Sequence, residues 1–141
     1  MTYNLEVLRK RFGEIEQNLT LLEQAANLPL SDFLNLPDKV EATMFRLLIC
    51  IEAAQAVCTH VAPRVSSQTP DSAAHCFECL AQAGVYEDDL ARRLAAMSRF
   101  RNLLVHRYWG LDPKVVHSFL PQSLRDLRLY IAAVSKQVSP P

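Results

Sequence analysis

Three residues in the stretch Arg101-Asn102-Leu103-Leu104-Val105-His106-Arg107-Tyr108 are of types that do chemistry together. A guanidinium binds phosphate and offsets charge growing on it, and an imidazole moves a proton near neutral pH. A phenol offers a hydroxyl open to modification. Arg101 and His106 suit the cleavage of RNA. The ribose 2′-hydroxyl is the nucleophile, and His106 takes its proton or gives one to the departing 5′-oxygen. Arg101 stabilises the charged phosphate as the attacking oxygen arrives. Such a reaction calls for no metal, no cofactor and no protein nucleophile. The motif lies in a window, Leu90 to Leu111, with five arginines and no acidic residue. Arg92, Arg99 and Arg107, with Arg46 upstream, are candidates to hold the RNA backbone, and Arg93 belongs to the same basic run.

Helical geometry complicates this reading. At 100° per residue, Arg101 and His106 diverge by about 140° on a straight helix. Arg101 shares a stripe with Leu90, Leu94, Met97, Leu104 and Tyr108, whereas Arg92, Arg99 and His106 lie opposite, with Asn102 close by. Either the last turn distorts near Trp109-Gly110, or a second copy of the helix completes the site in a symmetric dimer. A competing reading makes Arg101 a structural arginine paired with a carboxylate such as Glu52, and His106 an exposed helix end. Glu52 interrupts a run of small apolar residues, as an exposed side chain or as one that orients Arg101 or His106.

The elements that position these residues are helical. Leu5, Leu8, Phe12, Ile15, Leu19, Leu22 and Ala26 recur at spacings of three and four, as do Val40, Met44, Leu47, Ile51, Ala54, Cys58 and Val61. Leu120, Leu124, Leu127, Ile131, Val134 and Val138 repeat the pattern. Such stripes predict an all-α antiparallel bundle of about five helices, with no sheet. Pro29, Ser31 and Pro37 separate the first two helices, Ala62-Pro63 ends the second, and Ser66–Pro70 forms a loop. Thr69 is the expected N-cap of a third helix that Gly84 closes. A fourth runs from about Glu87 to Tyr108, Asp112-Pro113 starts the next, and Pro121 is expected to divide it. Residues 1–138 read as one domain and 139–141 as a frayed tail.

The chain has 141 residues, half of them hydrophobic, and a formal net charge of zero, so attraction to a polyanion must be local. The N-terminus lacks a signal-peptide pattern, and no apolar run approaches the ~20 residues that span a bilayer, so a cytoplasmic location without a membrane partner is expected. Cys50, Cys58, Cys76 and Cys79 then read as reduced thiols. Cys76-Phe77-Glu78-Cys79 is a C-x-x-C, but it falls within a predicted helix and reads as core or surface thiols, not a metal site. His117 reads as an exposed polar residue, and Trp109 as an anchor for the turn after the motif.

The segment Met97–Tyr108 resembles the signature of HepT-like toxins in the HEPN ribonuclease superfamily, an Arg-x4-6-His motif commonly written Arg-Asn-x-x-Val-His with a tyrosine two positions on. Phe77, Leu80, Gly84-Val85, Phe45-Arg46, Glu52-Ala53, Asp112 and Leu124–Tyr130 extend the likeness. The resemblance implies a HEPN-type homodimeric bundle with the two motifs lining a cleft. Arg101 and His106 would be the catalytic pair, and Asn102 and Glu52 would support them. It further implies a toxin neutralised by an MntA-like nucleotidyltransferase antitoxin, which uses ATP to transfer AMP to Tyr108. A bulky anion there would block the cleft. The alternative implied is a non-catalytic adaptor that positions a substrate for a minimal nucleotidyltransferase.

Overall fold

The computed structural model describes residues 2–139, apart from the side chain of Tyr108. Pro140 and Pro141, in the tail expected to fray, lie outside the described residues. The described residues form six α-helices: α1 (Leu5–Asn27), α2 (Leu30–Leu34), α3 (Pro37–Val65), α4 (Ala73–Gln82), α5 (Asp88–His106) and α6 (Pro113–Val138). A single 3₁₀ turn, Tyr108–Gly110, joins α5 to α6. No strand occurs among the described residues.

The apolar stripes do the packing. Leu8, Ile15, Leu19 and Leu22 of α1 are buried, each worth about 1.5–3 kcal/mol relative to exposure. They lie chiefly along α3, which also contacts α4, α5 and α6. Helix α3 is long and apolar enough to cross a membrane by composition alone, but half of its most apolar stretch is buried inside the bundle. Tyr130 is fully buried with its hydroxyl donating to the Ala54 carbonyl at 2.9 Å, and its ring meets Phe77 edge-on. That pairing fixes α6 against α3 and α4.

Several boundaries differ from the expected ones. The linker around Pro29 and Ser31 folds into the short α2, which buries Phe33. Helix α3 continues through Pro63 to Val65, because a proline that close to the C-terminus loses one amide bond while Ser66 still closes the turn onto Ala62. Ser72, not Thr69, caps α4 by accepting from the His75 amide at 3.0 Å. Gly84 does end that segment, at φ +85°, where a side chain would be strained. Asp112 caps α6, accepting from the Lys114 amide. Pro121 does not divide α6. It is exposed, and keeping Val116, Leu120, Leu124 and Leu127 on one buried stripe outweighs a local cost of about 3 kcal/mol.

Candidate active site

Helix α5 carries Arg101 toward α3. The Arg101 Nη2 donates to Glu52 Oε1 at 3.1 Å and its Nη1 to Asn102 Oδ1 at 3.3 Å. Its Nε is buried without a hydrogen-bond partner. Glu52 is therefore both exposed and oriented on Arg101, since its side chain keeps 47 % of its surface in solvent. One turn before Arg101, Ser98 accepts from Gln55 Nε2 at 2.7 Å, a second tie between α5 and α3. The guanidinium opens on a cavity of about 570 Å³ between α3, α5 and the start of α4.

His106 is the last residue of α5 and is exposed. The helix runs regularly through it, and departure from helical geometry begins at Arg107 (φ −140°, ψ 28°). A distortion of the last turn does not, then, swing His106 toward Arg101. Arg101 lines the cavity and His106 does not. Between the two, Leu104 and Val105 join Met44, Phe45 and Leu48 along a second, mainly apolar groove of about 500 Å³, where Phe45 is 61 % exposed. Tyr108, the expected acceptor of AMP, begins the 3₁₀ turn, and its side chain lies outside the described residues. Trp109, in the turn after the motif, keeps 75 % of its surface exposed.

The basic run divides on inspection. Arg92 pairs with Asp89 one turn back, and Arg93 Nε pairs with the buried Asp126 at 2.9 Å. Arg93 is thus a structural residue, not part of a solvated basic face; its partner, on α6, is distant in sequence. Arg99 and Arg107 are exposed. Arg46 is half-buried on α3, with its Nε buried and unpartnered like that of Arg101.

All four cysteines are free and buried. Burial raises the Cys50 thiol to about 12 and pushes Cys58 and Cys79 up, whereas a hydrogen bond from Cys58 holds Cys76 below its ordinary value. Among the described residues no three His, Cys, Asp or Glu side chains gather as a metal site. His117 is not an exposed polar residue: its Nε2 lies 2.9 Å from the Leu28 carbonyl and its ring stands 5.0 Å from that of Phe33, joining α6 to the α1–α2 connection. Gln55 and Thr59 were not singled out from sequence, yet with Glu52 they recur at spacings of three and four in the otherwise apolar stretch Leu47–Thr59 of α3. That polar stripe is the legible signal of the cavity wall.

The model of the HepT-like ribonuclease family, described as "Ribonuclease HepT-like", matches residues 15–134. The chain belongs to the HepT-like ribonuclease family. By that membership it is an endoribonuclease, not a structural bundle alone. A tRNA nuclease HepT from Aphanizomenon flos-aquae is 25 % identical over 129 residues, covering 92 % of this chain and 88 % of its own. Among solved structures, a tri-AMPylated HEPN toxin of Shewanella oneidensis in complex with its MNT antitoxin superposes at TM-score 0.78. The two are 22 % identical, over 92 % of this chain and 97 % of that one. YutE of Bacillus subtilis, a cytosolic protein of unknown function, superposes at the same TM-score with 14 % identity, over 100 % and 98 % of the two chains. These structures share the HEPN fold.

Proposed function

We propose that this chain is the toxin of a toxin–antitoxin pair, an RNA endonuclease that acts in the cytoplasm as a homodimer without a metal. Arg101 stabilises charge on the phosphate. His106 moves the proton, with the 2′-oxygen forming the new bond to phosphorus as the bond to the 5′-oxygen breaks. Asn102 and Glu52 hold the Arg101 guanidinium, and Arg46, Arg92, Arg99 and Arg107 are the candidates for backbone contact, with Asp89 competing against phosphate for Arg92. The single observation that carries this reading is the placement of Arg101: braced by two side chains, with an unsatisfied buried Nε, at the edge of a cavity. The regular course of α5 through His106 favours a site shared between two copies, and the apolar groove with Phe45 beside the motif suits the second copy. Regulation follows from the toxin–antitoxin relatives. A nucleotidyltransferase partner directs the Tyr108 hydroxyl onto the α-phosphorus of ATP, pyrophosphate leaves, and the added AMP places an anion beside the cleft.

Complementation tests the shared site. Arg101→Ala and His106→Ala are each inactive alone. If arginine and histidine come from different subunits, an equimolar mixture regains about a quarter of wild-type cleavage, because half the dimers are mixed and each has one intact site. No recovery in a mixture shown to exchange subunits contradicts the shared site. Binding of the nucleotidyltransferase and RNA without cleavage by the wild type would favour the adaptor reading.

A further inference from the structure

We infer that the cavity beside Arg101 is a base-specificity pocket, which receives a nucleobase bearing an amino group next to the phosphate that Arg101 holds. This rests on the nuclease reading above and extends it to what the enzyme selects. The cavity has the size of a small-molecule site, which for ordinary ligands runs from about 300 to 1,000 Å³. Its walls include Glu52, Gln55 and Thr59 from α3, Asp71 and Ala73 at the start of α4, and Arg101 from α5.

Charge decides the class of occupant. Two carboxylates line the cavity against one guanidinium, Glu52 beside Arg101 and the largely exposed Asp71 beside His75, so a phosphate chain is disfavoured inside it, while a single phosphate is favoured at the Arg101 rim. Carboxylates only accept hydrogen bonds, which suits a neutral ring presenting N–H donors. The Thr59 hydroxyl donates to the Gln55 carbonyl at 3.0 Å, leaving its oxygen to the cavity as an acceptor. Gln55 is held by Ser98, which fixes the plane of its amide at the wall. Adenine, cytosine and guanine each carry an exocyclic amino group, and uracil carries none; its one edge N–H is flanked by two carbonyls, which the carboxylates repel.

The test uses the full chain and uncleavable tetranucleotides, 2′-O-methylated at every ribose, in four homopolymer forms. The A, C and G forms should bind about tenfold more tightly than the U form. Ala73→Phe, at an exposed position on the rim, should fill the cavity and flatten that difference with an unchanged melting curve; Thr59→Val, also exposed, should weaken it. Equal affinity for U, no binding of any form, or an undiminished preference in Ala73→Phe overturns the pocket. So does an Ala73→Phe variant that loses only the nucleotidyltransferase, since the cavity would then take a side chain of that protein. Cleavage of ordinary RNA that depends on His106 is measured separately, so the pocket can fail while the nuclease stands.

Discussion

Two arginine–carboxylate pairs sit eight residues apart on α5, and they are built for different ends. Arg93 meets Asp126 at 2.9 Å, with the arginine 41 % exposed but the carboxylate only 2 % exposed and also accepting from Gln122 Nε2 at 2.9 Å. Arg101 meets Glu52 at 3.1 Å, with the two side chains 31 % and 47 % exposed. The first is a desolvated charge held by two donors, where α5 crosses α6. The second is screened by water and worth at most about 1 kcal/mol. Stability does not account for the second pair. Its geometry keeps a guanidinium pointed at a cavity, with a nitrogen still unsatisfied.

The sharpest way to separate the ends of the helix is through activity. His106→Ala should lower RNA cleavage by about 10²–10⁴-fold while leaving the unfolding curve in place. A large shift in melting temperature would instead make His106 part of the scaffold. Next in size comes the stability of the other pair. Arg93→Ala should cost about 1–3 kcal/mol in urea unfolding, because it leaves a buried carboxylate with Gln122 as its one remaining donor. Arg101→Ala should cost about 0–1 kcal/mol, and equal losses would erase the contrast between the pairs.

How much of this was legible in the sequence follows from the range of each interaction. Helix periodicity is local, and α1, α3 and α6 emerge from it directly. The motif is local too, and Glu52 was named as the partner of Arg101 because it alone breaks a small apolar run. The Arg93–Asp126 pair joins residues 33 apart on different helices, and nothing in the acid-free window announces it. Prolines misled for a related reason. Pro63 and Pro121 read as helix ends when the local bond is weighed alone; Pro63 sits within the last turn, where little is lost, and Pro121 inside α6 because the surrounding stripe is buried as a unit. His117 sits against Leu28 and Phe33 where an exposed side chain was expected, since burial at a helix junction depends on neighbours distant in the chain.

Smaller effects refine the same contrast. Tyr130→Phe should cost about 0.5–1.5 kcal/mol through loss of the bond to the Ala54 carbonyl, with cleavage unchanged. The smallest is a pH effect at the N-terminus. His60 Nε2 accepts from the Asn4 amide at 3.0 Å, and partial burial and the Arg64 charge hold His60 below its ordinary value. The unfolded chain therefore takes up the proton more readily. The contribution is present above the ordinary histidine range, near ~6.5, and is lost as pH falls through the lower folded value. The protection of the Asn4 amide from exchange, relative to its intrinsic rate at each pH, should fall on acidification, and protection that stays constant would remove His60 from the contact.

Product chemistry tests the central claim most directly: that Arg101 and His106 drive attack by the ribose itself. Purified wild-type protein, given a short labelled RNA in a metal chelator, should leave 2′,3′-cyclic phosphate and 5′-hydroxyl ends. His106→Ala and a 2′-deoxy substitution at the cut site should each abolish the products. Cleavage by His106→Ala at the wild-type rate, or 3′-hydroxyl ends formed only after a divalent metal is added, would contradict the account.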